Sequence, residues 1–400
     1  MAMAGEKRTM ATGPLDGMRV LDFTTTIAGP YCTRMMADLG AEVIKIETAE
    51  GDMMRTRPPL RDGASTSFGQ LNAGKHSIVL DLKRPEAQEI VRRLLTTSDF
   101  LVENFRPGVM ARFNLDYDTV SKRHQELIYC SISGYGQTGP SSGLAAYAPA
   151  IHAASGFDLA HMAYQPGRDR PDNCGIYIAD IVSGTYAFGA AMAALAQRHL
   201  TGLGQHVDVS MLETMLTLMV SEIQAAQFPV APPGRPMFGP VRTKDGFIMP
   251  AVASEKTFQG ICAAAGHPEW IGDPRFARYA DRRAHWGDFV DLLETWSTTL
   301  TTAACQAAFD AAGVPSSPYR TVTEVLADPQ LAHRGALAEV HDAGGSFKVV
   351  QPPFRLSAAP VQVARFAASL GENTREVLEL AGYADDEIKK MSAAGIVGVQ

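Results

Sequence analysis

The sequence predicts an α/β fold: a doubly wound parallel sheet with a second, smaller domain. Three observations lead there. Short apolar runs alternate with stretches of helical apolar spacing over the first 210 residues, the pattern of strands joined by crossover helices. The chain has 400 residues, more than one ordinary core organises. A tract dense in proline and glycine, PVAPPGRPMFGPVRTKDG, then interrupts the pattern after residue 228 and reads as a crossing between domains.

MRVLDF (18–23) is a short apolar strand, and TTTIAGP is the turn after it. YCTRMMADLG has helical spacing, and AEVIKIE (41–47) is the next strand, completing a βαβ unit. SIVLDL (77–82), a helix over PEAQEIVRRLLTTS, DFLVENF (99–105) and LIYCSISGYG (127–136) continue the alternation. In such sheets ligands bind beyond the carboxyl ends of the strands, so the turns 24–30, 47–55, 104–108 and 134–140 are the places to look. Residues 181–198 are helical in pattern, TGLGQHVDVSM is a glycine turn entering a strand, and MLETMLTLMVSEIQAAQF is an amphipathic helix. Residues 241–325 form a separate block, with a hairpin-like GFIMPAV and helices around TFQGICAAAG, HWGDFVDLLETWS and TAACQAAFDAAG. The last 75 residues alternate like antiparallel strands before a helix at NTREVLELAG. At the start, MAMAGEKRTMATGPLDG carries charges where a signal peptide needs an apolar core, so 1–13 is expected to be a flexible leader.

Composition narrows the function. Hydrophobic residues make up 46% and charged residues 20%, ordinary for a soluble globular protein, and the net charge of −7 argues against a nucleic-acid partner. The five cysteines (Cys32, Cys130, Cys174, Cys262, Cys305) are odd in number and lack CxxC spacing. They predict reduced thiols in a cytoplasmic protein and no metal site. The first βα turn, TTTIAGP, lacks the glycine fingerprint of a dinucleotide site. No nicotinamide or flavin is therefore expected, although Glu47 stands where a ribose-binding acid would.

The stretch CGIYIADIVSGTYAFGAAMAALAQRHLTGLGQHVDVSM holds a lone acid, Asp180, in an apolar run long enough to raise the question of a membrane span. The run is rich in glycine and alanine rather than leucine, and an acid in mid-run is costly in lipid. A buried helix of a soluble protein, with no membrane partner, is the expectation. Taken alone, Asp180 fits a helix N-cap as well as it fits chemistry.

Read together, VLDFTTTIAGPYCTRMMADLGAEVIKIE, GDMMR, NAGKHSIVLDLK, VENFRPGVMARF, SGYGQTGP, IADIVSGTYAFGAAMAAL and TGLGQHVDVSM occur in the order found in the family III CoA transferases, the formyl-CoA transferase group. GHPEWIGDPRF and AGVPSSPYRTVTEVLADPQ extend the resemblance over roughly residues 14 to 395. The resemblance implies an enzyme that moves coenzyme A from an acyl-CoA to a small carboxylic acid, with Asp180 as nucleophile. The carboxylate would attack the thioester to give a mixed anhydride, which CoA thiolate converts to an aspartyl-CoA thioester. A helix starting just after Asp180 would favour its anion, and Ile176, Ile178, Ile181 and Val182 would keep water away.

The same resemblance implies contacts to CoA from Thr26, Ile27, Ala28, Lys75, Asn104, Phe105, Arg112 and Tyr147. Amides at the 26–28 turn and the charges of Lys75 and Arg112 would meet phosphates, and Phe105 would give apolar contact. By themselves, Lys75 and Arg112 read equally as surface charges and Phe105 as core. Thr48 stands where the family often has a basic residue. Tyr147 stands where the related α-methylacyl-CoA racemases, the competing reading, carry a basic histidine; His152 follows five residues later and keeps that alternative open. Ala148 replaces an acid found in some members. The family's glycine run is replaced by PPGRPMFGP, with only Gly234 and Gly239, and Arg235 there fits a substrate carboxylate or open solvent. Finally, the resemblance implies a large CoA-binding domain from 14–220 and 326–400, a small domain from 221–325, and an interlocked homodimer.

Overall fold

The computed structural model describes residues 13–165, 167–172, 174–228, 237–252 and 254–399. All of the expected leader except Gly13, and Gly234 and Arg235 of the proline-rich tract, lie outside these residues. The chain divides into two units. The first takes the described residues of Met1–Leu159, Arg170–Met219 and Ala332–Gln400, and the second those of Ala160–Asp169 and Val220–Leu331. Ala160–Asp169 was expected with the first unit but groups with the second, where the Tyr164 hydroxyl hydrogen-bonds Glu222.

The first unit is built on one large sheet. Its strands are β1 (Arg19–Asp22), β2 (Glu42–Glu47), β3 (Lys75–Leu80), β4 (Phe100–Glu103), β5 (Ile128–Ser133), β6 (His206–Ser210) and β7 (Val397–Gly398). They lie in the order 7-3-2-1-4-5-6, parallel throughout except for β7, which runs antiparallel to β3. The register sets Val20 of β1 opposite Val43 of β2 and Phe100 of β4. Strands covered on both faces carry apolar residues at successive positions, and successive side chains point to opposite faces. Val20, Val43, Phe100 and Val102 accordingly enter one core, while Leu21, Ile44 and Leu101 enter the other.

Four helices place the site: α1 (Ala28–Asp38), α2 (Ala148–Ala154), α3 (Ile178–Thr201) and α4 (Met211–Leu216). Small residues let α3 lie close to α1. A side chain at Gly184 would put its Cβ 2.4 Å from the Ala28 carbonyl oxygen. Ala179, Ser183, Ala187, Ala191 and Ala194 continue this buried stripe. The expectation of a buried helix holds for this face alone, since Thr185, Tyr186, Gly189 and Leu200 are exposed on the other. The stripe packs closely against α1 because its side chains are short.

The amphipathic helix expected over MLETMLTLMVSEIQAAQF is two short ones, α4 and Val220–Ala225. Thr214 and Thr217 each turn their hydroxyl back to a carbonyl three residues earlier, competing with the helical ladder where it breaks. Later in the chain, Leu337–Asp342 and Gly345–Val350 form the antiparallel pair anticipated there. Asn373 and Thr374 then accept hydrogen bonds from the Ser77 and Val79 amides, covering the outer edge of β3 beside β7.

The second unit pairs Phe247–Pro250 with Val241–Arg242 and Ser316–Pro318 in a small antiparallel sheet. Phe258, Trp270, Phe276 and Trp286 pack around Phe289. All five cysteines are free.

Candidate functional site

In an open sheet whose strands run outward from β1 in both directions, the crevice lies where the order reverses, beyond the carboxyl ends of β1 and β4. A cavity of about 460 Å³ opens there, within the usual range for small-molecule sites. Its walls are Thr25–Ala28 after β1, Met53, Asn104–Pro107 after β4, Ile132 and Ser133 at the end of β5 with Gly134 after it, the segment from Ser142 into α2, Tyr177 and Asp180 of the α3 start, and Met211 at the start of α4. Gly134 admits the close approach that shapes one wall, since a Cβ there would lie 2.1 Å from that of Ala146.

Beneath the turn after β1 lies a buried ionic network. Asp22, at the end of β1, accepts hydrogen bonds from the Thr24 amide at 2.8 Å, the Thr33 hydroxyl at 2.7 Å and the Lys75 ammonium at 2.9 Å. Its carboxyl is held below the usual carboxylate range by Lys75 and Lys45, which overcome the opposing effect of burial. Lys75 is 2% exposed and also donates to the Pro30 carbonyl, the Thr33 hydroxyl and Asn72. It lies outside the cavity wall, and its burial, countered only in part by Asp22, depresses its pKa to about 8. The expected phosphate-binding role for Lys75 is therefore corrected: its donors are engaged inside the protein. Arg112 is exposed on the turn Met110–Phe113 and also lies outside the cavity wall.

The turn itself is held from two sides. Asn104 accepts the Thr25 amide at 2.8 Å and donates to the Thr25 carbonyl at 2.9 Å. Asp52, paired with Lys45 at 3.1 Å, accepts the Thr26 amide at 3.1 Å. Thr26 sits at φ 69°, a left-handed conformation in which a β-branched residue is strained. The amides of Thr25 and Thr26 thus serve the turn, which corrects the expectation that Thr26 offers its amide to a phosphate. Helix α1 follows with Ile27 at its N-cap and no side-chain cap, and Ile27 and Ala28 line the cavity. Glu47 is gripped by Arg55 at 2.6 and 2.8 Å and by Ser77, so both its carboxylate oxygens are engaged inside the protein.

Of the other expected residues, Phe105 lines the cavity and packs on the second core, its amide held by Glu103 at 2.8 Å. Burial raises the Glu103 carboxyl to about 7. Tyr147, 66% exposed, lines the cavity as the N-cap of α2. Arg106 lines it too and escaped the sequence reading, although it stands inside the quoted VENFRPG and directly follows a strand end. Among the described residues, Arg106 and Asp180 are the charged groups of the wall.

Asp180 occupies the first turn of α3, which starts two residues before it rather than just after it. Its carboxyl has no hydrogen bond or ion pair among the described residues, and burial raises its pKa from 3.8 to about 6. The helix terminus favours the anion, but the lost hydration outweighs that effect. The apolar surroundings also differ from expectation. Ile176 is 73% exposed, and Ile178, Ile181 and Val182 do not line the cavity. Ile27, Ala28, Ile132, Leu144, Ala146 and Met211 do, all remote from Asp180 in sequence. His152 is 1% exposed and outside the wall, its Nε2 accepting the Ala179 amide at 3.1 Å. A ring so placed does not abstract a substrate proton, which removes the support it lent to the racemase alternative.

The chain matches the profile of CoA-transferase family III over residues 15–374. It is 34% identical to the succinate–glutarate CoA-transferase of Agrobacterium fabrum, over 91% of this chain and 95% of that one. It is 32% identical to the succinyl-CoA:glutarate CoA-transferase of Mus musculus, over 96% and 90% of the two chains. The crystal structure of a CAIB/BAIF family protein from Brucella suis superposes with a TM-score of 0.82 at 31% identity, covering 92% of this chain and 100% of that one.

Proposed function

Because the chain belongs to CoA-transferase family III, we propose that it moves coenzyme A from an acyl-CoA thioester to a free carboxylic acid, with Asp180 as the covalent nucleophile. The observation that carries this reading is the carboxylate of Asp180, unpaired among the described residues and raised to about 6 by burial, in the wall of the cavity at the sheet's reversal point. Such a group is still mostly ionised at pH 7, yet poorly hydrated, which favours attack.

A carboxylate oxygen of Asp180 adds to the thioester carbonyl; the carbon–sulfur bond breaks, CoA leaves as thiolate, and a mixed anhydride remains. The thiolate attacks the Asp180 carbonyl, forming an aspartyl-CoA thioester and releasing the donor acid. The acceptor carboxylate attacks that thioester, CoA leaves again as thiolate, and a second anhydride forms. Attack by thiolate on the acceptor carbonyl then yields the new acyl-CoA and restores Asp180. Each intermediate is open to hydrolysis, and the apolar wall of Ile27, Ala28, Leu144, Ala146 and Met211 limits water at the reacting carbon. Arg106 supplies positive charge for the anionic substrate in place of Lys75.

The names of the relatives make four- and five-carbon dicarboxylic acids the first class to test. The outward face of α3, with Tyr186 and Leu200 exposed, fits the pairing of two interlocked chains; a monomer mass by light scattering at micromolar concentration would rule that pairing out. The transfer reading is tested by incubating acyl-CoA donors with a panel of acids and weighing the new thioesters. Asp180→Asn and Asp180→Ala are expected to bind acyl-CoA and yield no product. Turnover at the wild-type rate by either variant refutes the nucleophile.

A further inference from the structure

Both backbone polar groups of Ala179, the residue before Asp180, are held by side chains. Its amide donates to Nε2 of His152 at 3.1 Å, and its carbonyl accepts from the Ser183 hydroxyl at 2.6 Å. Ser183 in turn lies 2.8 Å from the Thr214 hydroxyl of α4, whose first residue, Met211, lines the cavity. His152, Ala179 and Ser183 are each at most 1% exposed, and the His152 ring also packs at 5.8 Å from Phe157.

Helix α3 has no N-cap side chain of its own; Tyr177 precedes it without a capping hydrogen bond. Within the first turn, the Ile178 amide reaches back to Ile176 and the Ile181 amide to Tyr177. Among the described residues the Ala179 amide has no such local carbonyl partner, and it takes an acceptor from another helix. Without it, a buried amide would be left unpaired, a state the turn avoids by unwinding. Unwinding would swing the following residue, Asp180.

We infer that His152 is a positioning residue for Asp180: it caps α3 from α2 and so fixes the turn that presents the carboxylate to the cavity. The role requires a lone pair on Nε2 and therefore the ring proton on Nδ1. It is a role for a histidine that takes no part in acid–base chemistry. The inference rests on Asp180 being the reacting group.

Three variants test it. Glutamine carries an acceptor as many bonds from Cβ as Nε2, asparagine one bond short of it, and leucine none. In steady-state CoA transfer, His152→Gln should keep kcat within about five-fold of wild type. His152→Asn and His152→Leu should lose about 10²-fold in kcat, the effect of a displacement of about 1 Å in the reacting group, with KM for acyl-CoA within about three-fold. Hydrogen exchange of the backbone over residues 176–184 should quicken in the Asn and Leu variants and not in Gln. This readout needs no turnover, so it still decides the matter if wild type transfers no CoA and the functional reading itself fails. Wild-type kcat in His152→Leu, equal losses in Gln and Leu, a loss confined to KM, or unchanged exchange in all three would overturn the inference. Should His152→Leu not fold, the Gln and Asn pair gives the same decision.

Discussion

Replacing Asp180 with asparagine should stabilise the protein at neutral pH even as it removes the reacting group. Burial raises the carboxyl from 3.8 to about 6, so the folded state binds this proton more tightly than the unfolded chain does. Below about pH 4 both states are protonated and the carboxyl imposes no penalty. Between about pH 4 and 6 the unfolded chain ionises first, so stability falls as pH rises, and above about pH 6 the full penalty remains. A displacement of this size corresponds to about 3 kcal/mol. Asp180 is partly exposed, and solvent screening reduces that to about 1–2 kcal/mol. Loss of the carboxylate's interaction with the helix terminus works the other way by about 0.3–1 kcal/mol and does not reverse the sign. Asparagine has nearly the same shape and never ionises. A thermal melt of Asp180→Asn beside wild type at pH 7.5 should show a gain in Tm of about 1–2 °C, shrinking to nothing by about pH 4. A Tm equal to or below wild type at pH 7.5, or a gain unchanged at pH 4, would refute the view that burial sets the state of this carboxyl.

Two further expectations concern the walls around it. Arg106→Ala should raise KM for acyl-CoA about tenfold, the worth of one charge-assisted hydrogen bond, with kcat within about two-fold; initial rates across acyl-CoA concentrations measure this, with Arg112→Ala as the variant expected to match wild type. Gly184→Ala puts a methyl group 2.4 Å from the Ala28 carbonyl oxygen, so α3 must move off α1. A loss of about 1–3 kcal/mol follows, seen as a lower Tm, together with reduced transfer, because Ala28 and Asp180 line one cavity from those two helices.

The large sheet was legible because its strands are covered on both sides, and runs such as MRVLDF and AEVIKIE declare that in their composition. The turns beyond the strand ends were legible for the same reason, and the residues implied by the family resemblance, Thr26, Ile27, Ala28, Asn104, Phe105, Tyr147 and Asp180, do meet at one cavity. What escaped was the use made of each side chain. Lys75 reads as a free cation, and nothing local reveals that Asp22, 53 residues earlier, claims it. Asn104 reads as a ligand contact, yet both ends of its amide hold Thr25. The apolar neighbours of Asp180 in sequence read as its shelter, but a helix turns them away from one another, and the shelter comes from other segments. Arg106 was overlooked for the opposite reason. It sits between Phe105 and Pro107 with no pattern of its own, and only the fold turns it to the cavity.

The way Asn373, Thr374 and β7 close the outer edge of β3 bears on how the molecule is made. A ribosome delivers Ser77 and Val79 almost three hundred residues before the groups that satisfy their amides. At about 5–20 residues per second, that strand waits on the order of 15–60 s. During the wait its edge is open to pairing with any extended chain nearby. Residues 220–331, in contrast, emerge as an uninterrupted block with their own aromatic core. The smaller unit can therefore fold while the larger is still unfinished, its β3 edge waiting on the last residues of the chain.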